Sequence, residues 1–471
     1  MSLSNNLIKL ILKYNNFVLY YLIFINISYT FLLLLALKGI RKYRYKLQNW
    51  PYYKMILSIF VPPVSILVPC YNEEKTIVDN IKSLLSIEYN RFEIVVINDG
   101  SNDKTLDMLI KAFDLHKLDS PYRRTIPTKE VRGVYLASKI QNLTVVDKVN
   151  GGKADALNVG INICKYPLFT SIDADSILEK SSLLKVVRPF IDEPDRVVAT
   201  GGIVRVVNGS KVNKGFIEEV ALSKKPLVIL QTVEYLRAFL FGRMGWSELN
   251  SLLIVSGAFG VFKKDIVLEL GGYSADTIGE DMELIIKIHK YMKNKKIDYS
   301  ITFVPDPVCW TQVPEDLKSL KKQRIRWHRG LMDSLINHKD MFLNPKYGII
   351  GTFVVPYFWI VEMISPIIEI IGYISVIASY LLGILNYEYA IIFFIFAVLY
   401  GVFLSLGSVM LEEYNFMKYE NVSDYLKLVL YGVIENFGYR QLITLWRFRA
   451  FIGYKRKENK WGKIERKGFD N

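Results

Sequence analysis

The chain has 471 residues, 51% of them hydrophobic and 23% charged, and a formal net charge of +14. That much apolar side chain, spread along the length, excludes a mainly disordered protein. Three cysteines (Cys70, Cys164 and Cys309) exclude a disulfide scaffold and suit a reducing compartment.

Phe17 to Leu37 carries no charge over 21 residues. As a helix it is about 31 Å long, enough to cross a bilayer and too long for a signal-peptide core. Lys38, Arg41, Lys42, Arg44 and Lys46 follow it. The positive-inside bias then predicts an outside N-terminus and an inside Arg41.

The long middle section mixes polar and apolar residues. Val64 to Pro69, Phe92 to Ile97, Leu143 to Val146 and Leu168 to Ile172 are short apolar runs bounded by turn residues. Between the first two, Glu74 to Ser86 has Ile77, Ile81, Leu84 and Leu85 at helical spacing, and Leu106, Leu109, Ile110 and Phe113 repeat the pattern after Asp103. Buried strands alternating with amphipathic helices predict a parallel, doubly wound sheet. Leu115 to Gln141 is polar, holds two prolines, and reads as a loop or partly helical insertion.

Beyond the middle section, Gly348 to Leu385 contains Pro356, Pro366, Glu362 and Glu369. It reads as one long kinked helix, an interfacial helix plus a span, or two short spans. Ala390 to Leu411 has no charge in 22 residues and is a clear span. Leu426 to Trp446 is interrupted by Glu435 and Arg440, which suits a helix facing protein or the interface. A basic tail follows. The total is three to five spans. The basic runs flank apolar segments and no nucleic-acid motif accompanies them, so the charge points to anionic lipid rather than nucleic acid.

In doubly wound sheets, ligands bind beyond the carboxyl ends of the strands. Those positions hold Cys70–Glu74, Asn98–Ser101, Asp147–Lys153 and Asp173-Ala174-Asp175. Asp173 and Asp175 suit a divalent cation that takes its other ligands from a substrate diphosphate. An Asx-turn is the plain alternative for that pair, and a simple turn is the plain alternative for Asp99-Gly100. After Gly151-Gly152, Lys153 suits a phosphate and Asp155 a base or ribose, unless the two merely open a helix. Thr277 to Glu280 matches a capping box, which accounts for Glu280 without chemistry. Asp281 is not needed for that cap and is the candidate general base. Glu315 to His338 reads as a basic amphipathic helix with Gln323, Arg326 and Trp327 on one face. An Arg suits a diphosphate and a Trp a sugar ring, while a helix lying on lipid is the bland alternative.

In order, the chain carries Val68–Glu74 (VPCYNEE), Asn98–Ser101 (NDGS), Gly152–Asn158 (GKADALN), Asp173–Asp175 (DAD), Gly279–Asp281 (GED) and Gln323–Trp327 (QRIRW). Over residues 60–340 this set resembles membrane-embedded processive glycosyltransferases of family 2, the synthases of poly-N-acetylglucosamine, chitin, hyaluronan and cellulose. The resemblance implies an α/β GT-A-type nucleotide-sugar domain with a doubly wound, mostly parallel sheet inserted between transmembrane helices.

The expected units are an N-terminal transmembrane helix with its basic flank (1–50) and a cytoplasmic catalytic domain (51–345) that includes an interfacial helix (315–338). Membrane or interfacial helices (346–446) and a basic cytoplasmic tail (447–471) complete the chain. By the same resemblance, Asp99 and Asp155 hold the uridine of a UDP-sugar, and Asp173 and Asp175 serve its diphosphate. Asp175, with Asp173, serves Mg2+ or Mn2+. Glu280 and Asp281 form the catalytic acid pair, with Asp281 the base. Gln323, Arg326 and Trp327 hold the diphosphate and the acceptor end, and Ser256–Gly260 flanks the acceptor terminus.

The implied activity is inverting polymerisation of a UDP-sugar, nearest the N-acetylglucosamine type, by a multi-pass protein of the plasma membrane. Its implied partners are the sugar donor, the growing polysaccharide, membrane lipids and a small accessory membrane subunit. Transfer of a single sugar to a lipid phosphate is the alternative. Gly279 departs from the family pattern, which commonly has Thr before Glu-Asp.

Overall fold

The computed structural model describes residues 2–48, 50, 52–118, 124–213, 215–419 and 421–454. The strands are β1 (Val64–Cys70), β2 (Phe92–Asn98), β3 (Leu115–Leu118), β4 (Val131–Ala137), β5 (Leu143–Lys148), β6 (Leu168–Ser171), β7 (Ile177–Leu178), β8 (Val197–Val206), β9 (Lys211–Asn213), β10 (Phe216–Glu219), β11 (Gly260–Lys263) and β12 (Ser300–Thr311). β9 and β10 form a separate pair, and the other ten form one sheet in the order β3-β4-β5-β2-β1-β6-β11-β8-β12-β7.

The centre of the sheet, β5-β2-β1-β6, is parallel throughout. Every residue of β1 and β5 is buried, as are all those of β2 after Phe92. Each fully buried Val, Leu or Ile contributes about 1.5–3 kcal/mol. Buried strands of this kind leave near-continuous apolar runs in the sequence. The helices Ile77–Leu85, Thr105–Phe113 and Lys153–Ile163 fall between successive central strands. Ile77, Ile81, Leu84 and Leu109 face the core.

The doubly wound GT-A-type sheet is therefore present, with antiparallel pairs on either side of its parallel centre. The winding reverses at β1, since β2 and β5 lie to one side and β6 to the other. Pro69 is tolerated because β6 pairs with β1 only from Val64 to Leu67, and Pro69 lies beyond that ladder.

One expected loop is partly sheet. Leu115 to Gln141 contains β3 and β4, an antiparallel edge joined to β5. Only Leu115 and Gly133 of these two strands are buried, so neither leaves the continuous apolar run of a central strand. Residues 119–123 lie outside the described residues.

The N-terminal helix runs from Ser2 to Gln48, far longer than its apolar centre. Asn5–Gln48 and Tyr387–Asn415 are long and apolar enough to cross a membrane. Ile350–Met363 and Ser365–Leu381 are bent by 45° at their junction and make a third candidate if they form one span. Among the described residues this gives two or three candidates, where the sequence suggested three to five. The segment around Leu426–Trp446 is two shorter helices, Val422–Ile434 and Tyr439–Arg449, broken at Gly438 with φ 104°. Of the basic tail, residues 455–471 lie outside the described residues.

The sheet is tied to the C-terminal helices by buried charge. Arg205 of β8 donates two hydrogen bonds of 2.6 Å to the Glu412 carboxylate, and both side chains are 2% exposed. Lys418 pairs with Glu179 at 2.8 Å, and the Leu222 amide donates to Asp424 at 2.9 Å. Removing one member of a buried pair leaves an uncompensated charge. Glu412→Gln should therefore destabilise the protein by about 3–5 kcal/mol, and Arg205→Met combined with Glu412→Leu should recover most of the loss. Thermal unfolding in detergent checks this. A Glu412→Gln protein that unfolds with the wild type would remove the pair from the stability account.

Candidate active site

The turn after β1 and the turn after β2 are clipped together. Asn72, at φ 58°, donates its amide to Ser101 Oγ at 2.9 Å and accepts from the Asn102 amide at 2.8 Å. The Glu73 amide donates to Thr105 Oγ1, and Glu74 exchanges bonds with Asp103 and Lys104. Polar side chains therefore set the edge of the sheet where its winding reverses.

Asp99 and Asp155 converge on Lys148, a fully buried residue that the sequence did not mark. Lys148 Nζ lies 2.6 Å from Asp99 Oδ1 and 2.7 Å from Asp155 Oδ2. Asp99 also accepts from the amides of Gly151 and Gly152 at 2.9 and 2.8 Å. Gly152, at φ 89°, turns the chain into the helix that begins at Lys153. Both carboxylates thus sit behind the wall of the cavity, held by Lys148 and, for Asp99, by the turn amides.

Lys153 reaches the opposite way. Its Nζ donates to Asp173 at 2.5 Å, lies 3.4 Å from the Gly257 carbonyl and is 3.9 Å from Glu280. The two lysines therefore divide four carboxylates between them. Burial raises the Glu280 carboxyl to about 6, with Asp281 adding to the rise and Lys153 opposing it. Asp281 accepts from the Gly257 amide at 3.1 Å and from the Met282 amide at 2.9 Å. Gly257, within the expected acceptor loop, thus joins Asp281 to Lys153.

The expected capping box is not formed. The helix Glu280–Lys295 starts after Gly279 with no side-chain cap, and Thr277 Oγ1 instead accepts from the Gly279 amide. Glu280 is therefore released from the cap and faces Lys153. Gly279 itself packs on Gly330 of the helix Leu317–Asn337. A Cβ on Gly279 would come within 2.7 Å of the Gly330 carbonyl oxygen, and one on Gly330 within 2.9 Å of the Gly279 Cα. The departure at Gly279 is thus matched by a second glycine, and the close contact sets the acid pair against that helix.

The helix Leu317–Asn337 is capped by Asp316, which accepts from the Ser319 amide. It packs between Glu280–Lys295 and Tyr439–Arg449, so it is a protein-packed helix and not only a surface one. Trp327 is 43% exposed, with Tyr235 beside it at 6.3 Å between ring centres and the Arg324 guanidinium 4.3 Å from its ring centre. Arg324, inside the motif but not singled out from the sequence, is buried and pairs with Glu234 at 2.7 Å. Tyr439 donates to the same carboxylate at 2.8 Å. Only long-range packing identifies Arg324, Glu234 and Lys148.

One cavity of about 2240 Å³ gathers most of the expected set: Lys153, Asp173, Asp175, Gly257, Glu280, Asp281, Gln323, Arg326 and Trp327. Asp99 and Asp155 are absent from its lining. The same cavity continues past Tyr29 of the N-terminal helix to Glu362, Glu369 and Tyr373. Among the described residues no group of three or more His, Cys, Asp or Glu side chains is placed to hold a metal. Two carboxylates at the end of β6 nonetheless fit a hard cation that takes its other ligands from a diphosphate.

Residues 65–268 match the model of glycosyl transferase family 2, and residues 168–406 match that of glycosyl transferase family group 2. The chain is 31% identical over 271 residues to a poly-beta-1,6-N-acetyl-D-glucosamine synthase of Staphylococcus epidermidis, covering 57% of this chain and 55% of that protein. It therefore spans little more than half the length of that relative. It is 30% identical over 338 residues to the synthase of the same name from Staphylococcus aureus strain COL, covering 71% of this chain and 69% of that protein. A solved mannosyltransferase, PcManGT from Pyrobaculum calidifontis in complex with GDP-Man and Mn2+, aligns with a TM-score of 0.49 at 17% identity, covering 87% of this chain and 99% of the other. By the family models and the Staphylococcus aureus relative, the chain belongs to glycosyl transferase family 2 and is a glycosyltransferase.

Proposed function

We propose that this chain is a membrane-bound, inverting β-glycosyltransferase that polymerises UDP-N-acetylglucosamine into an extracellular polysaccharide, with its catalytic domain in the cytoplasm. The observation that carries the reading is the single cavity joining the carboxylate edge at Asp173, Asp175 and Asp281 to Trp327 and onward to the apolar helices. A growing chain needs a path away from the site, and this continuation among the apolar helices supplies one. The names of the two staphylococcal relatives support N-acetylglucosamine as the sugar.

In this reading the donor diphosphate lies between Lys153 and Arg326, and the acceptor terminus rests on Trp327. Asp175, with Asp173, would hold Mg2+ or Mn2+, which when bound offsets charge on the departing diphosphate. Asp99 and Asp155 act through Lys148 and the 151–152 amides, shaping the wall behind the nucleotide. Asp281, oriented by the Gly257 and Met282 amides, takes the proton of the acceptor hydroxyl. The hydroxyl oxygen bonds to the anomeric carbon as the bond from that carbon to the phosphate oxygen breaks, and UDP leaves with the bonding pair. Attack opposite the leaving group turns an α-linked donor into a β-linked product. Glu280, shared with Lys153, sets the charge beside the base.

Asp281→Asn should leave UDP affinity within about twofold of the wild type and reduce transfer by a factor on the order of 10²–10⁴. Titration calorimetry with UDP, alongside UDP release during turnover, separates the two effects. Retained turnover would remove Asp281 from the mechanism. Asp175→Asn should abolish the gain in UDP affinity that Mn2+ gives the wild type. An undiminished gain would contradict the metal assignment.

A further inference from the structure

A helix outside every motif of the site presents a cation to it. Pro226–Tyr235 continues as the π-helical turn Leu236–Arg243, a form concentrated at functional sites. Tyr235, Phe239 and Arg243 fall four residues apart along it. The Arg243 guanidinium lies 3.8 Å from the centre of the Phe239 ring, Phe239 packs on Tyr235 at 5.3 Å, and Tyr235 packs on Trp327. A continuous row of aromatic contacts therefore runs from the acceptor helix to Arg243.

Arg243 and Asp281 line the same cavity, yet no ion pair joins them among the described residues. The Asp281 carboxylate is occupied by the Gly257 and Met282 amides. Arg243 Nη1 is buried and has no hydrogen-bond partner among the described residues. Stacking on Phe239 fixes the plane of the guanidinium, so the free N–H groups have a set direction. A buried donor of this kind is costly unless water or a ligand satisfies it, and a sugar hydroxyl can replace such a water. Burial lowers the Arg243 pKa to about 10, with Asp281 opposing the shift, so the side chain is cationic at neutral pH and feels the base across the cavity.

We propose that Arg243 anchors the acceptor. Its guanidinium donates to an oxygen of the terminal sugar resting on Trp327, and this contact decides which hydroxyl of that sugar faces Asp281. The assignment rests on the proposed function and adds to it a residue that determines where the new linkage forms.

The test uses the full chain in lipid nanodiscs with UDP-N-acetylglucosamine, Mn2+ and short N-acetylglucosamine oligosaccharides as acceptors. Arg243→Gln should keep UDP affinity within about twofold and raise the acceptor KM about tenfold or more, the usual worth of a hydrogen bond to a charged group. Its products should include linkages the wild type does not make. A Gln variant with unchanged acceptor KM and linkage would overturn the assignment, as would one whose UDP affinity falls in step with its acceptor affinity. If the Gln variant does not fold, Arg243→Lys serves instead. It keeps the charge and loses the planar fork, so the acceptor KM should still rise, by about threefold or more, at unchanged UDP affinity. No rise would overturn the assignment. A wild type that neither extends an acceptor nor polymerises the donor refutes the proposed function and this assignment with it. Where it polymerises the donor without taking up the oligosaccharides, product linkage is the readout, and an unaltered linkage in the variant refutes Arg243. A wild type that extends acceptors alongside an unaltered variant refutes Arg243 alone.

Discussion

The structure depends on holding many carboxylates on one edge of a sheet without letting them repel one another apart. Asp99, Asp155, Asp173, Asp175, Glu280 and Asp281 all lie at or near the carboxyl ends of the central strands. Two lysines make this tolerable. Lys148, fully buried, bridges Asp99 and Asp155, and Lys153 bridges Asp173 and Glu280. A buried charge of either sign is expensive alone and acceptable when paired and hydrogen-bonded. Remove either lysine and the carboxylates it holds lose their counter-charge, and the turns they organise lose an anchor. The division also separates two duties: the Lys148 cluster shapes the wall, and the Lys153 cluster faces the cavity.

The rest of the site is brought to this edge by close contacts between helices. The Gly279–Gly330 contact lets the acid pair and the helix Leu317–Asn337 meet at backbone distance. Glu234, Arg324 and Tyr439 then lock that helix between two others, with Arg324 also stacked on Trp327. On the far side, the Arg205–Glu412 pair fixes the sheet to the helix that ends at Asn415. The orientation of the carboxylate edge toward the apolar helices is thus set by buried ionic contacts, and one cavity spans the join.

Much of this was legible in the sequence. β1, β2, β5 and β6 fall within one or two residues of the apolar runs that announce them, because strands buried on both faces leave little else in the sequence. Lys153, Asp173, Asp175, Glu280, Asp281, Gln323, Arg326 and Trp327 were singled out from position and motif, and they line one cavity. Three things were hidden. β3 and β4 lie at an edge and are mostly exposed or half-buried, so they read as a loop. The capping box at Thr277 fails because a local pattern cannot foresee that Gly279 must close on Gly330. Lys148, Glu234, Arg324 and Arg243 look like ordinary polar residues until packing across tens to hundreds of positions gives them partners or leaves them facing the cavity.

The central claim is that this edge and the cavity leading from it build a chain rather than move one sugar. The most direct measurement offers UDP-N-acetylglucosamine and Mn2+ to the purified full chain in lipid, and follows UDP release and product size in the same reaction. The account predicts sustained UDP release with a long polymer formed from this single donor. UDP release accompanied only by a single-sugar lipid product would contradict it.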